Sequence, residues 1–319
     1  MKSKLDQASV IAIRDCMGVR KKEKVLVITD ENKREIGYSL YLNALEITGN
    51  ALLVEMKSRE YNGEEPPEEL AELMLKYDVV LCPTTKSLTH TNARRRASEA
   101  GVRIATFPGI TKEVMIRGLN ADYQKISKLS LRLKKVFEKT KIVRVVSPAG
   151  TDITMDITGR NAYASKGLFH KKGESGNLPT GETFVAPLEG KSEGVFVVDG
   201  SMAGVGMLKD EKIIVSVEKG YATDIKGGAA AKKLVQILDK HGRKARNIAE
   251  FGIGTNDKAK LSGILLEDEK VLGTIHIALG DNKSMGGIVG VASHLDGLIK
   301  KPSVYFDGSL IMDKGKLLI

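Results

Sequence analysis

The hydrophobic pattern changes its period near residue 140, and that change constrains the fold more than any single residue does. Up to that point, short apolar runs rich in β-branched residues alternate with helical stripes. KVLVIT (24–29), ALLVEM (51–56), DVVLCP (78–83) and RIATFPG (103–109) read as buried strands. Residues 33–48, 67–76 and 89–100 between them read as helices, the first with Ile36, Leu40, Leu42, Ala44 and Leu45 available for an apolar face. Neighbouring parallel strands need a long crossover, which a helix supplies, so this alternation predicts a parallel sheet. A last helix over 121–139 carries Ile126, Leu129, Leu133, Val136 and Phe137 on one stripe. The prediction is an α/β domain with a parallel sheet over residues 1–140. Beyond it the chain turns to β-rich runs separated by Gly-containing turns: 141–147, 151–157, 194–199, 212–217, 273–279 and 303–308. One helix opens at 227–231. This predicts an α+β domain over residues 141–319, built on a large curved sheet.

Composition removes several function classes. The 319 residues, 42% of them hydrophobic, can fill two cores. No apolar run approaches the ~18 residues of a membrane span. The first fifteen residues are broken by charge and lack a signal-peptide core, so a cytoplasmic protein with no membrane partner is expected. The two cysteines, Cys16 and Cys82, have no ligand spacing and read as buried thiols in a reducing compartment. The net charge of +10 invites nucleic acid as a partner. Yet the basic residues are mixed with 40 acids, the only tight run is Arg94-Arg95-Arg96, and aromatics do not interleave with them. A solvated surface explains the charge, and nucleic acid is not favoured. After the first strand comes DENKRE, where a dinucleotide-binding turn would want glycines, so a nicotinamide cofactor is not favoured either.

The chemistry-bearing side chains lie in the second half. GTIHIALG (273–280) buries His276 in mid-strand, which is costly unless its ring nitrogens are used. SHLDGLI (293–299) places His294 and Asp296 two residues apart, on one face of an extended segment. Glu250 sits in the apolar run NIAEFGIGTN, and Glu182 ends the loop GESGNLPTGE. Each has an ordinary reading: a satisfied core histidine, a salt-bridged acid, a solvated glutamate. Together they are oxygen and nitrogen donors without thiolate. That set suits one or two divalent cations such as zinc, cobalt, manganese or iron.

GNLPTGE (176–182), AEFGIGTN (249–256), GTIHIALG and SHLD, in that order, resemble the ligand segments of the aminopeptidase T family. FPGITKEVMIRG (107–118) is similar to that family's interdomain region. The resemblance implies five metal ligands at Glu182, Glu250, His276, His294 and Asp296. It also implies a pair of catalytic ions (zinc, cobalt or manganese), a homodimer and a peptide substrate. Metal-activated water would then remove N-terminal residues, with Glu182 or Glu250 managing its proton. Members of that family are longer and carry a tyrosine shortly after the histidine strand. Lys283 falls about there and is the candidate to stabilise an oxyanion. A distant branch of the same fold, the ring-cleaving dioxygenase acting on 2,5-dihydroxypyridine, implies an alternative. There His276, His294 and Asp296 would hold a single Fe(II), and the two glutamates would be spare. A non-enzymatic binding protein is the third reading.

Overall fold

The computed structural model describes residues 2–319, which divide into two compact units. The first takes the chain to Ser127 and adds Ser165–Thr180; the second comprises Lys128–Ala164 and Gly181–Ile319. The α/β-then-α+β order is as predicted, but a single cut at residue 140 is not how the chain divides. The helix Tyr123–Phe137 crosses the border, because Leu133 and Phe137 at its C-terminal end belong to the core of the second unit. The chain then returns to the first unit to give it a fifth strand.

That first unit is a five-stranded parallel sheet. Its order is Ala51–Met56, Val25–Asp30, Val79–Cys82, Arg103–Thr106 and Ser175–Asn177. The central strands are buried along their whole length, which is why their sequences are continuous apolar runs rather than alternating ones. The helix Arg34–Thr48 stops at Gly49, whose φ of 73° lets its N–H close on the Leu45 carbonyl without a Cβ clash. In DENKRE the carboxylate of Asp30 accepts from the Thr85 hydroxyl at 2.8 Å and from the Asn32 N–H at 3.1 Å. A buried, hydrogen-bonded acid therefore ends this strand.

The second unit contains two antiparallel sheets, of eight and seven strands, rather than the one curved sheet expected. Both contribute to one core. Val143, Val145, Ile153, Met155, Phe196 and Val215 come from the larger sheet; Phe251, Ile253, Ile275, Ile277, Leu279 and Ile299 come from the smaller. Phe137 stacks on Phe251 with centroids 5.6 Å apart and meets Phe306 edge-on at 4.9 Å. In the larger sheet burial alternates along Ile213–Glu218, as one-sided packing requires. The strands Ile248–Gly254 and Thr274–Gly280 are instead buried at every position, so their second face is covered as well.

Among the described residues no helix is long and apolar enough to cross a membrane. Cys16 and Cys82 are free and buried; burial pushes the Cys82 thiol up to about 12 and raises Cys16 as well. Neither thiol should react with Ellman's reagent at pH 8 until the protein is unfolded, because the reactive thiolate is suppressed. Rapid labelling of the native protein would contradict this burial.

Candidate metal centre

Strand parity builds the site. In the seven-stranded sheet Ile275, Ile277 and Leu279 point into the core, so His276 points to the other face. Pairing carries that face across the neighbouring strands. His276 lies opposite Gly252, Ala278 lies opposite both Glu250 and Asp296, Gly280 lies opposite His294, and Glu182 lies opposite Gly254. Glu250 shares this face with Gly252 and Gly254 by ordinary alternation with Phe251 and Ile253, which point into the core. Ile248 joins that core three positions before Phe251 because the pairing slips between Ile248 and Glu250. Glycine and alanine between the ligand candidates leave the room. A Cβ on Gly252 would come within 2.0 Å of His276 Nε2, and one on Gly254 within 2.2 Å of the Val271 carbonyl oxygen. Both glycines are strand residues that face the site.

The five candidates converge. Nε2 of His276 lies 3.1 Å from Glu250 Oε1 and 3.7 Å from Glu182 Oε2. Nε2 of His294 lies 3.1 Å from Glu250 Oε2 and 3.5 Å from Asp296 Oδ1. Adjacent ligand atoms around a cation with ~2.1 Å bonds are about 3 Å apart, so the spacing fits a coordination shell. Among the described residues the donors form two groups, Glu182–Glu250–His276 and Glu250–His294–Asp296, which share Glu250. Glu250 stands between the two histidines, with one carboxylate oxygen 3.1 Å from each Nε2.

His294 is oriented as a metal-binding imidazole is, with Nδ1 donating to the Asp281 carbonyl at 2.7 Å and Nε2 left facing the acids. Asp281 begins a loop that Glu189 anchors by accepting from Asn282 Nδ2 at 2.9 Å and the Ile288 N–H at 2.8 Å. His276 differs. Its Nδ1 is buried without a hydrogen-bond partner, and its Nε2 meets the acids. Lys283 does not join the cluster. It is exposed in the short turn Lys283–Met285 with its side chain along Gly290.

Two participants were not foreseen. Lys270 is 2% exposed, with Nζ 2.8 Å from Glu182 Oε1 and 2.5 Å from Glu269 Oε2. Glu269 in turn hydrogen-bonds Asp296. The backbone next to the strand end seats them: Asn256 pairs with Val271, and its N–H donates to the Lys270 carbonyl at 2.8 Å. Both residues lie in the run EDEK (267–270), which reads as a solvated charge cluster. Its one sequence clue is the apolar stretch on either side, ILL before and VL after.

Electrostatics follow from burial and proximity. Burial works against a charge on His276, but the hydrogen bond and charge of Glu250, backed by Glu182 and Asp296, lift it to about 9. His294 is raised likewise: burial opposes its charge and is outweighed by Asp296 and Glu250. Burial would raise Asp296, yet His294 and His276 hold it well below the usual carboxylate range. Glu269 is pushed up to about 8 by burial, against the pull of Lys270. The acids thus draw positive charge to this face. Imidazole and carboxylate donors without thiolate, with Glu182 Oε2 buried and unpartnered, fit a divalent cation.

The comparisons assign the scaffold. The family model of 2,5-dihydroxypyridine 5,6-dioxygenase matches residues 12–319. The chain belongs to that family. A curated relative, 2,5-dihydroxypyridine 5,6-dioxygenase of Pseudomonas putida KT2440, is 24% identical over 251 residues, covering 73% of this chain and 69% of the relative. A solved structure of the dioxygenase from Pseudomonas putida KT2440 superposes with a TM-score of 0.85 at 20% identity, over 100% of this chain and 98% of the other. AmpT from Thermus thermophilus superposes with a TM-score of 0.70 at 17% identity, over 99% of both chains. The aminopeptidase resemblance therefore holds for the fold. The reading as a metallo-aminopeptidase, a hydrolase, is overturned by the family match. The motifs behind it mark a scaffold that supports more than one chemistry.

Two outcomes follow from this geometry. Gly252→Ala should lower stability by about 1–3 kcal/mol in denaturant unfolding, because the new methyl must displace the His276 ring from Glu250. An unchanged midpoint would place the ring elsewhere. A cation at His294 must displace its proton. Since that imidazole holds its proton above its ordinary range, apparent Mn(II) affinity should keep strengthening as pH rises past about 7, with proton release. Affinity that levels off at pH 6.5 would contradict the arrangement.

Proposed function

We propose that this protein is a ferrous-iron dioxygenase that opens the ring of a dihydroxylated nitrogen heterocycle of the 2,5-dihydroxypyridine type. The family match over residues 12–319 carries the reading, and the donor set without thiolate supports it. A single ferrous ion replaces the pair of hydrolytic ions expected from the aminopeptidase resemblance. Glu250, His294 and Asp296 would hold the ion, on strands rigid enough to keep ligand geometry. When bound, ferrous iron supplies the one-electron chemistry that dioxygen requires.

The protein's own groups do the rest. The Asp281 carbonyl fixes the tautomer of His294, and His276 holds the second oxygen of Glu250. Oε2 of Glu182, buried and without a partner, can accept the proton of a substrate hydroxyl. Lys270 holds the other oxygen of Glu182 at 2.8 Å and so fixes the direction in which Oε2 points.

The test is oxygen uptake. Protein loaded anaerobically with Fe(II) should consume dioxygen and 2,5-dihydroxypyridine one for one, and protein loaded with Zn(II) should not. His294→Ala and Asp296→Asn should each cut the rate by roughly two orders of magnitude while the fold persists. Uptake that survives both substitutions would remove this site from the reaction.

A further inference from the structure

We propose that Phe184 is a specificity-determining residue of this site: backed by Tyr163, it presents an aromatic face on which the planar ring of the substrate stacks. The inference rests on the ring-cleavage reading above and deepens it from a substrate type to a residue that touches the substrate. Among the described residues six of the seven phenylalanines are buried, and Phe184 is the one that is not. Its neighbour Val185 belongs to the core of the second unit, and Phe184 does not. Register places it on the ligand face. Phe184 lies opposite Gly252, Gly252 lies opposite His276, and Glu182 stands two positions before Phe184 on the same strand. Gly252 has no side chain, and His276 Nε2 lies 2.0 Å from where its Cβ would be. Directly paired residues hold their Cβ atoms about 5 Å apart, so Phe184 starts within side-chain reach of that ring.

Tyr163 completes the platform. It lies on the strand Tyr163–Ser165, the outer neighbour of the strand Glu182–Val185 in the seven-stranded sheet. The two rings stack with centroids 5.5 Å apart and planes 18° from parallel. Because Tyr163 stands on the outer side, it covers the face of Phe184 turned away from Gly252 and leaves the face toward the acids. Tyr163 is 36% exposed, so this pair fills no core, unlike the contacts that join Phe137, Phe251 and Phe306. A π face held rigid beside oxygen and nitrogen donors selects a planar ring, which can stack offset on it, over a puckered saturated one. The dimensions agree. Glu250 is two strand residues from Gly252, about 7 Å along the chain, a span comparable to a six-membered ring with hydroxyls at opposite positions. A ring stacked on Phe184 would therefore bring one of its hydroxyls to the donor group that contains Glu250.

The experiment is equilibrium binding of 2,5-dihydroxypyridine to the full chain loaded with Zn(II), which allows binding without turnover, read by calorimetry alongside zinc content. The wild type should bind the ring, and Phe184→Leu should weaken binding about three- to tenfold with zinc content unchanged. Phe184→Tyr keeps the π face and should stay within about twofold of the wild type. A second measurement needs no variant and stands even if Phe184→Leu fails to fold. In the wild-type zinc protein, transferred nuclear Overhauser effects should connect the ring protons of the ligand to phenylalanine ring protons, and Phe184 is the phenylalanine outside the cores. A folded Phe184→Leu protein that binds within about twofold of the wild type, or a bound ligand that touches no phenylalanine ring, would overturn the role of Phe184 and leave the ring-cleavage reading standing. A wild type that retains zinc and does not bind 2,5-dihydroxypyridine would overturn that reading and this inference with it.

Discussion

Everything in the second unit is arranged around one expensive fact: Glu182, Glu250 and Asp296 are buried on one face of one sheet, each less than one-tenth exposed. A buried carboxylate without compensation is far too costly for a domain whose net stability is on the order of 5–15 kcal/mol. Compensation comes from neighbours at fixed register. His276 lies opposite Gly252, two positions along from Glu250, and His294 lies two positions before Asp296. Lys270 is brought up to Glu182 from outside the sheet. Removing one member of such a set costs about 3–5 kcal/mol, so the apolar core on the other face must be large enough to hold the site in place. The cluster of Phe137, Phe251 and Phe306 lies in that core.

Much of this was legible in the sequence, for reasons that differ by region. The parallel sheet could be read because strands buried on both faces are continuous apolar runs at helix-sized intervals, as in KVLVIT and DVVLCP. The fifth strand, Ser175–Asn177, could not: SGN has no strand signature and is held by its neighbour Arg103–Thr106. In the second half the strands were visible but not their division into two sheets. Alternation reports which side of a strand is buried and not which sheet lies beyond it. Residue type and order gathered Glu182, Glu250, His276, His294 and Asp296. They did not show that Glu250 sits between the histidines, because residue order along one strand does not report the register against its neighbours. Lys270 and Glu269 were missed because a run of charges is ordinarily solvated.

The error about function has the same physical root. A ligand set tells a chain's metal preference better than its reaction. Carboxylates and imidazoles on one sheet face serve water activation or oxygen chemistry, and the choice lies in what surrounds them. The departure was already in the sequence, where Lys283 falls near the position of a family tyrosine. In the structure Lys283 is exposed and does not join the cluster.

The division of labour within the sheet shows how one scaffold can host different chemistries. Odd-numbered positions 275, 277, 279 and 299 build the core, and even-numbered 276, 294 and 296 build the site, so ligand identity can change without repacking the interior. The small residues Gly252, Ala278 and Gly280 set the depth available to whatever stands beside them. Charge is adjusted separately. Gly254 allows the Lys270–Val271 backbone to approach closely, and the Asn256 N–H pins it. A side chain on that segment reaches the acids without belonging to any ligand strand. The strands therefore fix where donor atoms lie, while a neighbouring loop fixes how much positive charge they still need.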